Sequence, residues 1–146
     1  METILDVRGI GGRAARIREI REMAGRAMLD GPHDYKTQDL DGPLLDLAVS
    51  KAIGLSAVIH RVDNAIAPFW ECCILNQRGR LIYQYLPSRN WSQGGDLIEE
   101  HHINLTYLGN SRWAAEIKGE RFEADAPLLA AMRALVSRLI GDTVRM

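Results

Sequence analysis

Apolar residues recur at three- and four-residue steps in three stretches of the chain and gather into short runs between them, which predicts helices alternating with strands. Ala14, Ile17, Ile20, Ala24, Ala27 and Met28 share one helical face, and Gly31-Pro32 stops that helix. A second helix is expected from Asp41, whose carboxylate caps it, through Gly42-Pro43 and the stripe Leu44, Leu45, Ala48, Val49 and Ala52, to Gly54. The clearest helix carries Leu128, Leu129, Met132, Leu135, Val136 and Leu139, with Asp125 as cap, Pro127 in the first turn and Gly141 at the end. Burying six such side chains contributes roughly 1.5–3 kcal/mol each before entropy is subtracted, so this helix is expected to be the main lid on the sheet.

Between the helices the pattern turns to strands. Ser56 to Val62 is short and aliphatic, while Phe69 to Leu75 and Leu81 to Tyr85 flank Asn76-Gln77-Arg78-Gly79, a four-residue hairpin loop. Ile103 to Leu108 and Arg112 to Lys118 are expected to pair across Gly109-Asn110-Ser111, with Tyr107 and Trp113 flanking the turn. The fold class is therefore α+β: a small antiparallel β-sheet packed against helices, with an additional N-terminal helix.

Composition narrows the functional classes. The 146 residues carry 18 Lys+Arg against 19 Asp+Glu, a formal charge of −1, which leaves no net positive field to gather nucleic acid or an anionic membrane surface. A local excess does occur between Arg8 and Arg26, and it reads first as a solvated helix face. No run is long enough to span a bilayer, and no apolar leader with a cleavage site opens the chain. Adjacent Cys72 and Cys73 cannot build a disulfide framework and fit a reducing compartment, so a cytosolic location is expected.

Catalytic and metal signatures are weak. Gly9-Ile10-Gly11-Gly12-Arg13-Ala14 has the spacing of a dinucleotide-binding turn, but no second apolar strand with an acidic end follows the helix. Glu99-Glu100-His101-His102 offers one Glu-x-x-His pair and no second copy, which is half a di-metal site at best. His60 and His33 lack ligand-spaced partners, and Cys72 and Cys73 on one strand point to opposite faces. No nucleophile elbow, Walker loop or zinc deaminase pattern is present. The expectation is a protein that is not an enzyme and has no metal and no cofactor.

The stretch from Tyr85 to Asp96 carries the most chemistry. It leaves a strand, is poor in apolar residues apart from Trp91, and enters a short helix through Gly94-Gly95. Tyr85 and Trp91 supply aromatic planes, Ser88, Asn90 and Gln93 supply hydrogen-bonding groups, and Arg89 supplies a cation. Gly94 and Gly95 at a helix start would let backbone amides approach a phosphate. The alternative is that Trp91 plugs the core and the glycines serve a turn.

Here the chain resembles the NinX family of small bacteriophage proteins. Three blocks carry the resemblance: Tyr35 through Leu40 followed by Leu45 to Ala52; Tyr85 through Glu99, with Pro87-Ser88, Trp91 and Gln93-Gly94-Gly95; and Ala126 to Arg133 with Gly141-Asp142. Leu47 stands where that family commonly has tryptophan. The resemblance covers about residues 35–144, which divides the chain into an N-terminal extension over 1–34 bearing the arginine-rich helix and a NinX-like α+β domain over 35–146. It implies a phage accessory protein acting in the cytoplasm of the bacterial host, and it brings no reaction with it.

Phage accessory proteins without catalytic motifs often act stoichiometrically, so the leading expectation is counter-defence by capture. The protein would bind and sequester a nucleotide-derived immune signal, such as a cyclic ADP-ribose-type or cyclic dinucleotide molecule, without cleaving it. Trp91 and Tyr85 would stack on a base, Arg89 would meet phosphate, Ser88, Asn90 and Gln93 would bond ribose or base edges, and Gly94 and Gly95 would present amides. Arg133, set in the apolar face of the last helix, would meet phosphate or pair with Asp96 or Glu99. A homodimer or larger homo-oligomer is expected to complete the pocket. The competing expectations are a protein-binding module acting on host or phage replication or recombination machinery, and a phosphodiesterase-like enzyme acting on the same signals. Membrane and nucleic-acid partners are disfavoured.

Overall fold

Residues far apart in sequence meet as a two-stranded ribbon, β1 (Asp34–Lys36) running antiparallel to β8 (Thr143–Arg145). The computed structural model describes residues 19–26, 31–63, 66 and 68–146. Ribbon closure is completed outside the strands: the His33 and Met146 amides each donate to the other's carbonyl at 2.6 and 3.0 Å, and the Thr37 hydroxyl donates to the Gly141 carbonyl at 2.6 Å. Val144, fully buried, is the side chain that this closure delivers to the core.

The described part of helix α1 is residues 19–26. The earlier apolar positions Ala14 and Ile17, the positions Ala27 and Met28, and the glycine-rich segment 9–14 lie outside the described residues. After a single 3-10 turn, Thr37–Asp39, comes α2 (Gly42–Ala52), capped by Asp41, whose carboxylate accepts from the Gly42 amide at 2.8 Å. Gly42 has φ +56°, a left-handed conformation that glycine adopts without a Cβ penalty.

Two three-stranded antiparallel sheets follow. The first has the order β2 (Ala57–Val62), β3 (Phe69–Leu75), β4 (Leu81–Gln84), with β3 in the centre. Its β3–β4 hairpin turns where the sequence says it should, because the Asn76 side chain accepts from the amides of Arg78 and Arg80, both at 2.9 Å, and Gly79 takes φ +76°. After α3 (Trp91–Glu100), the second sheet has the order β5 (Asn104–Gly109), β6 (Arg112–Ile117), β7 (Glu120–Ala124). Its first turn is tighter than the sequence suggests. Gly109 still pairs with Arg112, so only Asn110 and Ser111 form the loop, at φ 52° and 59°, the two left-handed residues that suit the twist of a hairpin.

The final helix, α4 (Pro127–Leu139), packs on β6, β7, α2 and α3, and α2 in turn packs on β2 and β3. The core therefore lies between two small sheets with α4 and α2 as its filling. Leu45, Ala48 and Val49 of α2 and Met132, Leu135 and Val136 of α4 are fully buried within it. Two expectations for α4 need correction. The capping position is Ala126, with no side-chain hydrogen bond, because Pro127 begins the helix one residue after the extended Ala126. Leu139 is 43% exposed, lining a surface cleft with Ile117 and Lys118 rather than the core. Among the described residues no helix is long and apolar enough to cross a membrane.

Candidate functional site

The segment from Tyr85 to Gly95 folds as the connection from β4 into α3, and most of its polar groups bond to the chain itself. Tyr85 continues the β4 pairing, its amide donating to the Cys72 carbonyl at 2.8 Å, and its ring is 7% exposed. Burial raises the pKa of its hydroxyl, which stays protonated. Gln93 holds the loop shut: its carbonyl accepts from the Leu86 amide at 2.7 Å and its amide nitrogen donates to the Gln84 carbonyl at 3.0 Å.

Asn90 is the N-cap of α3. Its carbonyl oxygen accepts from the Ser92 amide at 2.9 Å and the Ser92 hydroxyl at 2.6 Å, while the Gln93 and Gly94 amides donate to the Asn90 backbone carbonyl at 3.1 and 2.8 Å. The first-turn amides, which the sequence places opposite a phosphate, thus face Asn90. Gly94 is needed for close packing, because a Cβ there would strike the Pro87 carbonyl and the Leu128 side chain. Gly95 has room, with the Trp91 ring at 3.9 Å from where its Cβ would stand. Trp91 does not plug the core: it is 54% exposed on the first turn of α3.

Beneath this loop lies a buried charge cluster that the sequence reading did not single out. Glu71 on β3 is fully buried, and the Arg89 Nη2 atom donates to both its carboxylate oxygens, at 3.0 and 2.8 Å. Arg21 of α1 pairs with the same carboxylate. Asp46 on α2, also fully buried, accepts from the Ser88 amide at 2.9 Å through one oxygen, and its second oxygen, the Ser88 hydroxyl and the Arg89 Nε have no hydrogen-bond partner among the described residues. Burial drives the Asp46 pKa up from 3.8 to about 7, against the opposing pull of Ser88 and the Arg89 charge. For Glu71 the signal was present, as the one charge in the run Phe69–Leu75, whereas Asp46 stands outside the apolar stripe Leu44, Leu45, Ala48, Val49 and Ala52 and reads as a polar-face residue.

Arg133 extends the same logic across the core. Its Nε donates to the Leu40 carbonyl at 2.8 Å, fixing α4 to the segment that leads into α2. Cys72 and Cys73 are both buried, and burial pushes the Cys72 thiol up to about 12, so it is not a thiolate near neutrality. Among the described residues no three His, Cys, Asp or Glu side chains are placed to hold a metal ion.

Two surfaces near this framework remain open. The β4 edge exposes Leu81, Ile82 and Tyr83, at 44, 56 and 48%, along a strand paired on one side only among the described residues. A cleft of about 580 Å³ at the far end of α3 is lined by Glu100, His101, His102, Ile117, Lys118, Arg138 and Leu139. His102 and Lys118 sit there at φ 53° and 44°, positions where glycine would carry less strain.

The family described as Bacteriophage P22, NinX matches residues 36–138. No curated protein matches the chain. Within the matched span, Asp46 to Ser88, Gly94 against Leu128, and Arg133 to Leu40 join α2, the α3 loop and α4 into one unit. More than half of the sequence lies inside that match, and the chain belongs to the NinX family of bacteriophage proteins.

Proposed function

We propose that this phage accessory protein acts by binding a protein partner, adding an extended segment of that partner to the open edge of β4. The observation that carries the reading is the contrast between the two edges of one sheet. The β2 edge exposes His60 and Arg61, a charged side chain of the kind that discourages strand addition, whereas β4 exposes Leu81, Ile82 and Tyr83 with no charge from Leu81 to Ser88. The side of β4 away from β3, where the Gln93 side chain caps the Gln84 carbonyl, leaves the backbone about Ile82 flanked by apolar side chains as a template for β-augmentation, and a partly exposed tyrosine is a common interface anchor. The partner is host or phage replication or recombination machinery, met in the host cytoplasm.

The experiment is site-specific photocrosslinking in infected cells, with a photoreactive amino acid at Ile82 or, as control, at Arg61. A single partner captured from Ile82 and absent from Arg61 is the expected result. Equal capture from both edges, or none from Ile82, removes the reading. Light scattering of the purified protein separates a second copy as occupant, because two β4 strands related by a two-fold axis would pair antiparallel and give a closed dimer.

Capture of a nucleotide-derived signal without cleavage is the second reading, and the half-exposed Trp91 indole favours it together with the cleft holding Lys118 and Arg138. Among the described residues neither cation has an ion-pair partner. In this reading the engaged groups of Arg89, Gln93 and Gly94 build the platform, and the ligand meets Trp91 or the cleft. Cyclic ADP-ribose-type and cyclic dinucleotide molecules are incubated with the protein, the protein is denatured, and the released material is analysed. Intact ligand recovered from a depleted solution supports sequestration, a new product means catalysis, and no depletion ends the reading. Loss of capture on Trp91→Phe places the ligand at the loop; loss on Lys118→Ala places it in the cleft.

A further inference from the structure

Helix α1 lies outside the family match, yet four of its residues, Ile20, Arg21, Ala24 and Gly25, fit the matched fold. Arg21 pairs with buried Glu71, and its guanidinium carbon stands 4.3 Å from the centroid of the Phe69 ring. Gly25 lies so close to Trp70 that any Cβ would enter the indole. Ala24 is fully buried, and the Ile20 side chain fills the space left by the missing Cβ of Gly42. Positions 20, 21, 24 and 25 form one helical face, so among the described residues the contact is made by one side of the helix.

The seat does not depend on the helix for charge balance. Glu71 keeps two hydrogen bonds from Arg89 when Arg21 withdraws, which spares the fold an uncompensated buried carboxylate. Packing is also incomplete: an opening of about 360 Å³ runs beside the helix between Met23, which is 52% exposed, and Tyr35, Leu40 and Leu44. A receptor surface that is electrostatically complete alone, and that reads an arginine, an aliphatic residue beside it and a small residue four positions after it, has the character of a docking site.

We propose that residues 19–26 are a releasable arm docked in cis on the NinX fold, in a site that reads the helical pattern aliphatic, Arg, two residues, small, small. The site is formed by Gly42, Phe69, Trp70 and Glu71 and is separate from the β4 edge. Tethering gives α1 an effective concentration in the millimolar range for a short linker, so the wild-type site is closed to weak competitors.

The test uses the full chain carrying Gly25→Leu, which drives a side chain into Trp70, and a synthetic peptide of residues 13–30 as the probe. Hydrogen exchange is expected to show 19–26 released while β3 and α4 stay protected, and the peptide is expected to bind this variant at least tenfold more tightly than it binds the wild type. The same peptide with Arg21→Ala should lose that binding. Arg21→Glu in the full chain, which sets a carboxylate against Glu71, serves as a second release variant. The proposal is overturned if the released variants do not take the peptide, if α1 stays protected in both, or if both lose protection throughout the core, since α1 would then be an integral part of it.

Discussion

The Ser88 amide donates to the Asp46 carboxylate at 2.9 Å, and this bond fastens the start of the α3 loop to the middle of α2. Both groups are buried, so the bond is formed where water cannot replace it. Asp46 is raised to about 7 by burial, and the native state therefore holds a proton that the unfolded chain releases near 3.8. A folded-state value above the unfolded one gives a contribution that is full below the unfolded value and lost as pH rises through the folded one. Stability should fall between about pH 4 and 7 by up to roughly 1.4 kcal/mol per unit from this group alone. Asp46→Asn keeps the uncharged form and an acceptor for Ser88. Urea unfolding at several pH values should show the variant gaining on the wild type as pH rises; parallel curves would mean that Asp46 does not titrate in this window.

Gly94 and Gly95 are neighbours with opposite prospects. Alanine at 94 meets a backbone carbonyl, which cannot turn aside, and the fixed side chain of Leu128, so the helix must shift. A cost of about 1–3 kcal/mol is expected, as for other overpacked sites. Alanine at 95 meets only ordinary contact with Trp91 and gains helix propensity, about 1 kcal/mol in its favour. Thermal unfolding of the two variants should shift in opposite directions. Equal losses would contradict the packing described for α3.

Asn90 caps α3 through two hydrogen bonds to Ser92, and Trp91 beside it is half exposed. Asn90→Ala should destabilise the protein by about 1 kcal/mol, the usual cost of a lost cap. Trp91→Phe should change stability by less than that, because its indole gives up little buried surface. A denaturation series that ranked the two the other way would show that Trp91 packs more firmly than its exposure indicates.

What the sequence revealed and what it withheld divide along the range of the forces involved. The Asn76–Gly79 hairpin and the body of α4 are written in local signals, a side chain bonding two residues ahead and an apolar stripe at helical spacing. Strand β7 left no such trace. Arg121 and Glu123 point to solvent, and the strand is held to β6 partly by the pair Arg121–Glu116 at 2.7 Å, which an apolar pattern does not register. The β1–β8 ribbon joins residues 34–36 to residues 143–145, more than a hundred positions apart in sequence and beyond any local reading. At the candidate site the residue types of the loop were legible, but their partners were not. Arg89 looked available for phosphate because Glu71 lies on another element, and the Gln93 side chain because its partners, the Gln84 carbonyl that accepts from it and the Leu86 amide that donates to it, are backbone atoms.

The shared carboxylate of Glu71 makes Arg21 and Arg89 energetically dependent on each other. Each alone leaves the other to neutralise a fully buried charge, so Arg21→Ala and Arg89→Ala should each cost modestly, about 1–2 kcal/mol. Removing both strands Glu71 without a cation, a situation that costs about 3–5 kcal/mol elsewhere, or forces it to take up a proton. The double variant should therefore lose more than the sum of the singles, with a coupling of about 1 kcal/mol or larger. Adding Glu71→Gln to the double variant should recover part of the loss, because a neutral amide needs no cation. A double-mutant cycle by urea denaturation reads both effects, and strict additivity would show that Glu71 is neutralised by something other than these two arginines.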